Sequence, residues 1–244
     1  MLNILSSNYL ARFPVEKAMK EFGKKFGPDK IVLDIGCGKK PYAKYFNCKY
    51  VGLDPQKEVN PDIIADSWDI PVNNNYFDGI ILNQSLEHIA KTQETILEIK
   101  RILKPGGLAI ITVPQTMKNH SIPIPSEKIK LNNFDKKKIK NFNIDYYRFT
   151  KFGLLYIFRD FKIIEIKETS GYFATICQLI NYFFSSFGIK FIFTPIYFTN
   201  NILGLISDFF FGLAGKINTR ITLKLEELIY KSLTLDYILI IKKW

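Results

Sequence analysis

Residues 30–41 read Lys-Ile-Val-Leu-Asp-Ile-Gly-Cys-Gly-Lys-Lys-Pro, and this stretch decides the fold. Its first half is apolar except for Asp34, which predicts a buried parallel strand. Gly36 and Gly38 follow, and a residue without a Cβ lets the backbone take positive φ and come close to a ligand. Pro41 suits the first turn of a helix, where a missing N–H costs nothing. Strand, glycine-rich turn and helix start, in that order, are typical of α/β sheets that hold a nucleotide-like ligand.

Short apolar runs alternate with segments of helical periodicity along most of the chain, which favours a sheet with helices on both faces. The apolar runs predict strands over residues 31–35, 50–53, 63–65, 79–82, 108–113, 162–167 and 237–241. Helical spacing predicts helices over 14–26, 41–46, 93–103, 172–188 and 216–233, and Thr150 as the N-cap of a helix that ends at 158. We therefore expect an α/β fold with a Rossmann-like, doubly wound and mostly parallel sheet whose last strand is antiparallel.

The composition limits the class of protein. The 244 residues can bury a sizeable core, and the net charge is +11 with a pI near 9.4. This charge favours an anionic neighbour such as nucleic acid, phospholipid or a phosphorylated substrate, although a general bias towards Lys, Ile, Asn and Phe would also produce it. The three cysteines lack CxxC spacing, which argues against disulfides and zinc, and no other cluster predicts a metal. Residues 1–13 do not read as a signal peptide, so we expect a cytoplasmic protein.

Two segments differ in composition from the rest. Residues 114–145 hold several prolines and a basic run at 136–140, which is typical of a lid over a ligand cleft. Residues 172–215 carry only two charged side chains, and a helix over 172–188 would be roughly 25 Å long, short for a bilayer of about 30 Å. Three interpretations stay open: a helical pair lying in the membrane interface, a buried subdomain or dimer surface, and a membrane hairpin.

Six short motifs follow one another between residues 31 and 114. They are Leu33-Asp34-Ile35-Gly36-Cys37-Gly38, Val51-Gly52-Leu53-Asp54, Ala65-Asp66 ahead of Ile70-Pro71, Tyr76-Phe77-Asp78, Leu86-Glu87-His88 and Leu103-Lys104-Pro105-Gly106-Gly107. In this order they resemble the signature of class I S-adenosylmethionine-dependent methyltransferases with a methyltransferase type 11-like core. Lys40 departs from the family, which often has a third glycine there, and this departure also argues against a nicotinamide site. The later segment Asp145-Tyr146-Tyr147-Arg148-Phe149-Thr150 is similar to a subgroup often associated with bacterial surface-glycan gene sets.

The resemblance implies S-adenosylmethionine as the cofactor and suggests which residues contact it. Backbone N–H groups around Gly36 and Gly38 would approach its amino-acid end, and Asp34 would favour its positive charge. Asp54 would accept both ribose hydroxyls, and Asp66 would accept from the adenine amino group. The further cofactor-binding positions are Ile35 or Trp68 as an apolar face, Cys37 and Ser67 in the two loops, and Asn83 towards the methionine moiety or the acceptor.

The sequence defines the acceptor side less closely. In-line displacement at an activated donor mainly needs aligned reactants and excluded water, and a hydroxyl acceptor also benefits from a general base. His88 near the cleft and His120 in the expected lid are the two candidate bases. Tyr146, Tyr147 and Arg148 are candidate acceptor contacts, Arg148 because its planar fork binds phosphate oxygens in pairs. Purely structural roles compete with these, such as a helix start for His88 and lid packing for the two tyrosines.

The expected domain layout has five segments. They are a cofactor-binding core over 1–113, a lid or acceptor-binding insertion over 114–149, a continuation of the core over 150–171, a hydrophobic helical insertion over 172–215, and a final helix and strand of the core over 216–244. We expect methyl transfer to a hydroxyl of a small sugar or lipid-linked glycan intermediate, with peripheral association at an anionic membrane surface. Two alternatives stay open: a non-catalytic cofactor-binding scaffold, and an RNA methyltransferase. The net charge favours the latter, whereas residues 83–86, Asn-Gln-Ser-Leu, do not resemble the Asn-Pro-Pro-Tyr-like tetrad of base-methylating enzymes.

Overall fold

Six strands form one mixed sheet in the computed structural model, which describes residues 3–118, 144–189, 191–214 and 231–244. The strands are β1 (Ile31–Ile35), β2 (Lys49–Leu53), β3 (Phe77–Asn83), β4 (Leu103–Pro114), β5 (Lys162–Glu168) and β6 (Asp236–Lys242). Their order across the sheet is β2-β1-β3-β4-β6-β5. The first four are parallel, and β6 runs antiparallel to both β4 and β5. The expected mostly parallel α/β sheet with an antiparallel last strand is confirmed.

Helices flank this sheet on both faces. They are α1 (Tyr9–Gly23), α2 (Thr92–Ile102), α3 (Lys151–Ile157), α4 (Tyr172–Ser185) and α5 (Thr194–Ala214), with single 3₁₀ turns at Ala43–Tyr45, Lys57–Val59 and Leu86–His88. Side chains alternate along each strand, so Val32 packs with α1 on one face, whereas Leu33 and Ile35 pack with α2 and α3 on the other. The strands are therefore buried on both faces, which explains why their sequences are almost continuously apolar.

The predicted third strand, 63–65, is wrong. Only a single bridge forms there, between Leu53 and Ile63. The loop is instead held at one point, because Gly52 N donates to Asp62 Oδ2 at 2.6 Å and Gly52 O accepts from Ile63 N at 3.0 Å. Ile63 and Ala65 pack partly against the core, whereas Ile64 is 53% exposed, so the segment is buried on one side only.

Helix α1 differs from its prediction at both ends. It begins at Tyr9 rather than at residue 14, because Leu10 and Ala11 are buried against Leu235 and extend the apolar face. The predicted helix over 41–46 is also shorter and consists of a single 3₁₀ turn. Thr150 caps α3 as expected, since its hydroxyl accepts from Gly153 N at 3.1 Å.

Strand β4 begins five residues earlier than predicted. The Lys-Pro-Gly-Gly break at 104–107 stays in the sheet because Gly106 N donates to Lys243 O and Lys243 N donates to Gly107 O, both at 3.0 Å. The predicted helix over 216–233 and most of the expected lid over 114–149 lie outside the described residues.

The apolar segment after β5 forms a helical hairpin, which we define as residues 172–189 and 191–214. Its amides point inwards: Gln178 Nε2 donates to Ser7 O at 2.5 Å and Asn201 Nδ2 donates to Ile4 O at 2.6 Å. Asn181 Nδ2 donates to Asn201 Oδ1 at 2.9 Å and joins the two helices. None of the described helices combines the length and the apolar character needed to cross a bilayer.

Candidate active site

The carboxyl ends of β1, β2 and β3 meet at one edge of the sheet. Ile35 pairs with Leu53 on one side and with Leu82 on the other. The residues that follow these partners, Gly36, Asp54 and Asn83, are therefore level with one another. This edge brings together three of the positions that the sequence predicts for the cofactor, in the place where open α/β sheets bind their ligands.

The glycine-rich turn after β1 needs its glycines for different reasons. Gly36 has φ +72°, and a Cβ there would collide with the Ser85 side chain. Gly38 has φ +47°, and a Cβ there would meet nothing within 4 Å. The turn is held to β2, because Gly36 N and Cys37 N both donate to Leu53 O, at 2.8 and 3.0 Å. The backbone at Gly38 therefore borders open space, into which an approaching ligand would fit.

Asp54 lies at the end of β2 and faces this turn. Its Oδ2 accepts from Gly38 N at 3.1 Å, and its Oδ1 accepts from Gln56 N at 3.0 Å. Each carboxylate oxygen offers about two acceptor directions, so both oxygens retain the capacity to bind a ribose hydroxyl. The two backbone bonds fix the carboxylate beside the hollow at Gly38, and this arrangement fits the ribose of S-adenosylmethionine.

Asp34 is buried within the sheet, only 3% exposed. Tyr50 Oη donates to its Oδ2 at 2.6 Å, which explains how a carboxyl group is tolerated there. Burial raises the pKa of Asp34 to about 6, and the nearby negative charge of Asp54 adds to that rise. A bound cation would favour ionised Asp34, as the resemblance implies for the amino or sulfonium group.

The residues predicted to contact adenine lie in the loop after β2, and they make different kinds of contact. The buried Ser67 hydroxyl lies 2.9 Å from Thr95 Oγ1 on α2, so it serves helix packing in this structure. Lys91 Nζ lies over the Trp68 ring in a cation–π contact, 4.8 Å from the ring centroid. Asp66 is partly exposed beside them. The structure thus brings Asp66 and Trp68 to the loop next to β2, and their adenine contacts stay a prediction.

Two other predicted positions are buried in the floor of the site. Ile35 is 1% exposed and belongs to the core. Cys37 is 3% exposed, and burial raises the pKa of its thiol to about 12. The sulfur is therefore a neutral thiol at ordinary pH and not a nucleophile.

Asn83 and Gln84 connect the end of β3 to the neighbouring strands β4 and β6. Asn83 Oδ1 accepts from Thr112 Oγ1 at 2.7 Å, so its amide is fixed against β4. Gln84 has φ +48°, an uncommon value for a residue with a side chain. Gln84 N donates to Thr112 O at 2.9 Å, and Gln84 Nε2 donates to Asp236 Oδ1 at 3.2 Å. Strained residues cluster at ligand sites, and this one links the cofactor edge to Asp236.

The Asp-Tyr-Tyr-Arg-Phe-Thr segment lies across the Leu86–His88 turn. Tyr146 N donates to Glu87 O at 2.8 Å, and Tyr147 Oη donates to Ala90 O at 3.1 Å. His88 Nδ1 lies 2.9 Å from Ile144 O. A carbonyl only accepts, so Nδ1 carries the hydrogen and Nε2 carries the lone pair of the neutral ring.

Arg148 makes a bidentate pair with Asp145, at 2.7 and 2.5 Å. Its guanidinium also donates to Tyr147 O at 2.9 Å and to Lys118 O at 3.3 Å. Four of its five N–H groups are thus engaged within the chain, which leaves little for a paired phosphate contact. The rings of Tyr146 and Tyr147 are 38% and 40% exposed and can meet a ligand.

Two buried carboxyl groups were not predicted as site residues. Glu87 and Asp236 are 0% and 1% exposed, and burial raises the pKa of Glu87 to about 8 and that of Asp236 to about 7. Negative charges on Asp236 and Asp145 add to the rise for Glu87. In the sequence, Asp236 stands directly before an apolar strand, a signal similar to that of Asp34. His120 lies outside the described residues.

The amino-terminal part of the chain matches a known protein family. A family model described as a methyltransferase domain matches residues 8–148, more than half of the chain. This chain belongs to that methyltransferase family. The expected membership of the class I S-adenosylmethionine-dependent methyltransferases is thereby confirmed, with S-adenosylmethionine as the cofactor.

Three similar proteins are methyltransferases, and the two whose acceptor is named, a tRNA uridine and phosphoethanolamine, act on different ones. The tRNA (carboxymethyluridine(34)-5-O)-methyltransferase of Arabidopsis thaliana is 28% identical over 120 residues, 44% of this chain and 29% of that protein. A methyltransferase structure from Archaeoglobus fulgidus has a TM-score of 0.55 at 15% identity and covers 95% of this chain and 94% of that one. Haemonchus contortus phosphoethanolamine N-methyltransferase 2 has a TM-score of 0.54 at 19% identity, with 94% and 52% covered. The chain spans less than half of the curated relatives it matches.

Proposed function

We propose that this protein transfers a methyl group from S-adenosylmethionine to a hydroxyl of a sugar or a lipid-linked glycan intermediate. The observation that carries the proposal is the setting of His88. Its Nε2 lies 3.8 Å from Glu87 Oε1, and its Nδ1 lies 3.9 Å from Asp145 Oδ1. Asp145, which is ion-paired with Arg148, offers a carboxylate near the ring and favours its protonated form, which is what a base needs after it has taken a proton.

The cofactor end of the site fits this chemistry. When bound, S-adenosylmethionine supplies a methyl group that is already activated by its sulfonium. Asp54 would hold the ribose hydroxyls, and the backbone at Gly36 and Gly38 would lie along the amino-acid end. Asp34 and Asn83 would fix the methionine moiety. The protein then contributes mainly orientation and the exclusion of water, which are worth several powers of ten in rate.

A hydroxyl acceptor must lose its proton as the new carbon–oxygen bond forms. His88 Nε2 would take that proton, while the hydrogen bond from Nδ1 to Ile144 O keeps the ring in the productive tautomer. Glu87, with a pKa of about 8, holds its own proton at neutral pH, so the negative charge near the protonated ring would come from Asp145. His120 is the second candidate for the same role.

Tyr146 and Tyr147 would form the wall for the acceptor. Aromatic rings offer an apolar face to the C–H groups of a sugar, and their hydroxyls can bond its oxygens. Arg148 would contribute its remaining N–H and its charge to a phosphate on the acceptor, although Asp145 already offsets much of that charge. We place the protein on the cytoplasmic side, with peripheral association at an anionic membrane surface.

The test of this function is methyl transfer from radiolabelled S-adenosylmethionine to extracted lipid-linked glycans and to free sugars. His88→Asn is the informative variant, because its amide can still donate to Ile144 O while the base is removed. We expect kcat to fall about 100-fold or more with little change in the affinity for S-adenosylmethionine. A full loss with His120→Asn and none with His88→Asn would move the base to the other histidine. Transfer to neither acceptor class, with cofactor binding intact, would refute the proposed acceptor.

RNA methylation is the second candidate, favoured by the net charge of +11 and by the tRNA-methylating relative. Transfer to tRNA, with affinity that falls steeply as salt rises, would support it. The scaffold alternative predicts tight binding of S-adenosylmethionine with no transfer to any acceptor. The three outcomes are distinct in the same set of assays.

A further inference from the structure

The α4–α5 hairpin has its polarity inverted. On α4, the face turned towards α1 carries polar groups, whereas the opposite face carries large apolar ones. The inward residues are Ala174, Thr175, Gln178, Asn181 and Tyr182 on α4, and Tyr197, Asn201 and Gly204 on α5. The outward residues are Phe173, Ile180 and Phe183 on α4, Phe187 just after α4, and Phe198, Leu203, Ile206, Phe209, Phe210 and Leu213 on α5. A helix pair in contact with water normally shows the reverse pattern.

The hairpin tip carries exposed apolar side chains before and after Lys190 in the sequence. Phe183, Phe187 and Phe191 are 61%, 57% and 80% exposed, and Ile189 and Ile192 are 47% and 54% exposed. Two of these rings contact each other, with the Phe183 and Phe187 centroids 5.3 Å apart. A contiguous apolar surface of this kind on a folded chain marks an interaction site.

The inward amides show that this orientation is built into the fold. Gln178 and Asn201 are fully buried and donate to the carbonyls of Ser7 and Ile4, as described above. Asp208 Oδ1 accepts from Gly171 N at 3.0 Å at the base of the hairpin. Rotating either helix to bury its phenylalanines would break these bonds and leave buried amides without partners. The apolar face therefore stays outward.

We propose that this outer face docks on the surface of an anionic lipid bilayer, with both helices lying in the interface and the tip phenylalanines inserted. Charge selects a bilayer over a second copy of the chain, because a net charge of +11 attracts anionic lipid and repels a like-charged partner. The inference deepens the proposed function, since a lipid-borne acceptor would be met there, yet docking itself needs no catalysis.

Vesicle flotation tests the docking surface. The wild-type protein should float with phosphatidylglycerol-containing vesicles and much less with pure phosphatidylcholine. The variant F183D/F187D/F191D should lose at least tenfold in apparent partition. The matched control is L97D/F152D/Y156D, which adds the same three carboxylates at exposed apolar positions on α2 and α3 and should float like the wild type. Binding of S-adenosylmethionine should be the same in all three proteins.

Several results would overturn the inference. One is a wild-type protein that does not float with anionic vesicles. Another is a tip variant that floats as well as the control. A third is a wild-type protein that is a dimer and becomes a monomer with the tip substitutions. Should the tip variant not fold, Phe191→Trp gives a second measurement with vesicles of brominated lipid. Quenching above that of the native Trp68 and Trp244 supports insertion, and its absence contradicts it. Flotation without methyl transfer to any glycan would refute the proposed function but would still support the docking surface.

Discussion

The substitution Asp54→Ala tests the cofactor assignment directly. In the structure, the two carboxylate oxygens accept from Gly38 N at 3.1 Å and from Gln56 N at 3.0 Å. Alanine removes these bonds and the two acceptors that we assign to the ribose. The loss therefore affects binding in two ways, through the missing contacts and through the looser glycine turn.

The size of the effect follows from the kind of hydrogen bond. A bond to a charged acceptor contributes about 1.5–3 kcal/mol, so two ribose bonds give about 3–6 kcal/mol. The hollow beside Gly38 is open, so water replaces part of this contribution when the carboxylate is absent. We expect the affinity for S-adenosylmethionine to fall at least tenfold, about 1.4 kcal/mol, and more typically about 100-fold.

Isothermal titration with S-adenosylmethionine measures this change. Asp29→Ala is the matched control, because Asp29 is an exposed aspartate before β1, 73% exposed at its side chain, far from the carboxyl edge. Circular dichroism establishes that each variant is folded. An affinity for Asp54→Ala within twofold of the wild type would mean that the ribose binds elsewhere.

Two further substitutions test the energetics of the site. Burial raises the pKa of Asp236 from 3.8 to about 7, so the folded state holds a proton that the unfolded state releases, and stability is lost as pH rises through this window. Asp236→Asn should therefore raise the free energy of unfolding more at pH 8 than at pH 5, by up to a few kcal/mol. An equal change at both pH values would contradict this. Lys40 has φ +54° and pairs with Asp62 at 2.7 Å. Because a left-handed backbone costs a side chain about 1 kcal/mol, Lys40→Gly should unfold in urea at higher concentration than Lys40→Ala; the reverse order would refute the strain.

The sequence predicts well which residues meet at the carboxyl edge of the sheet, because its signals are local. A strand, two glycines and an acidic residue lie within nine positions around Gly36, and the same short-range pattern places Asp54 after β2. Parallel pairing then brings the strand ends together without further information. The predicted strand at 63–65 is wrong because the chain just before it is held by a non-local contact. Gly52 N donates to the Asp62 side chain, and no local sequence pattern shows such a bond.

The region that we assign to the acceptor depends on contacts between distant parts of the chain. Gln84 and Asp236 are 152 positions apart, and only the sheet order brings them within 3.2 Å. The raised pKa values of Glu87 and Asp236 come from burial, which is a property of the assembled fold. Gln178 and Asn201 read in the sequence as interruptions of an apolar segment. In the structure they are its inner face, because the N-terminal residues supply carbonyls that no periodicity reveals.

The place where the hairpin leaves the sheet connects the two proposals. Because β6 is antiparallel to β4, it begins at the edge where β4 ends, and β5 ends there too. The start of the hairpin and the start of β6 therefore lie at the carboxyl edge that carries Asp54 and Asn83. The first turn of α4 is tied to this edge, since Thr175 Oγ1 lies 2.9 Å from Ser170 Oγ, and Ser170 Oγ accepts from Leu235 N at 3.0 Å, one residue before Asp236. A bilayer held by the outer face of the hairpin would keep that edge within the length of one helix, about 20–30 Å, from the lipid surface. A lipid-borne sugar is an acceptor that such a distance suits, and a large structured RNA gains nothing from it.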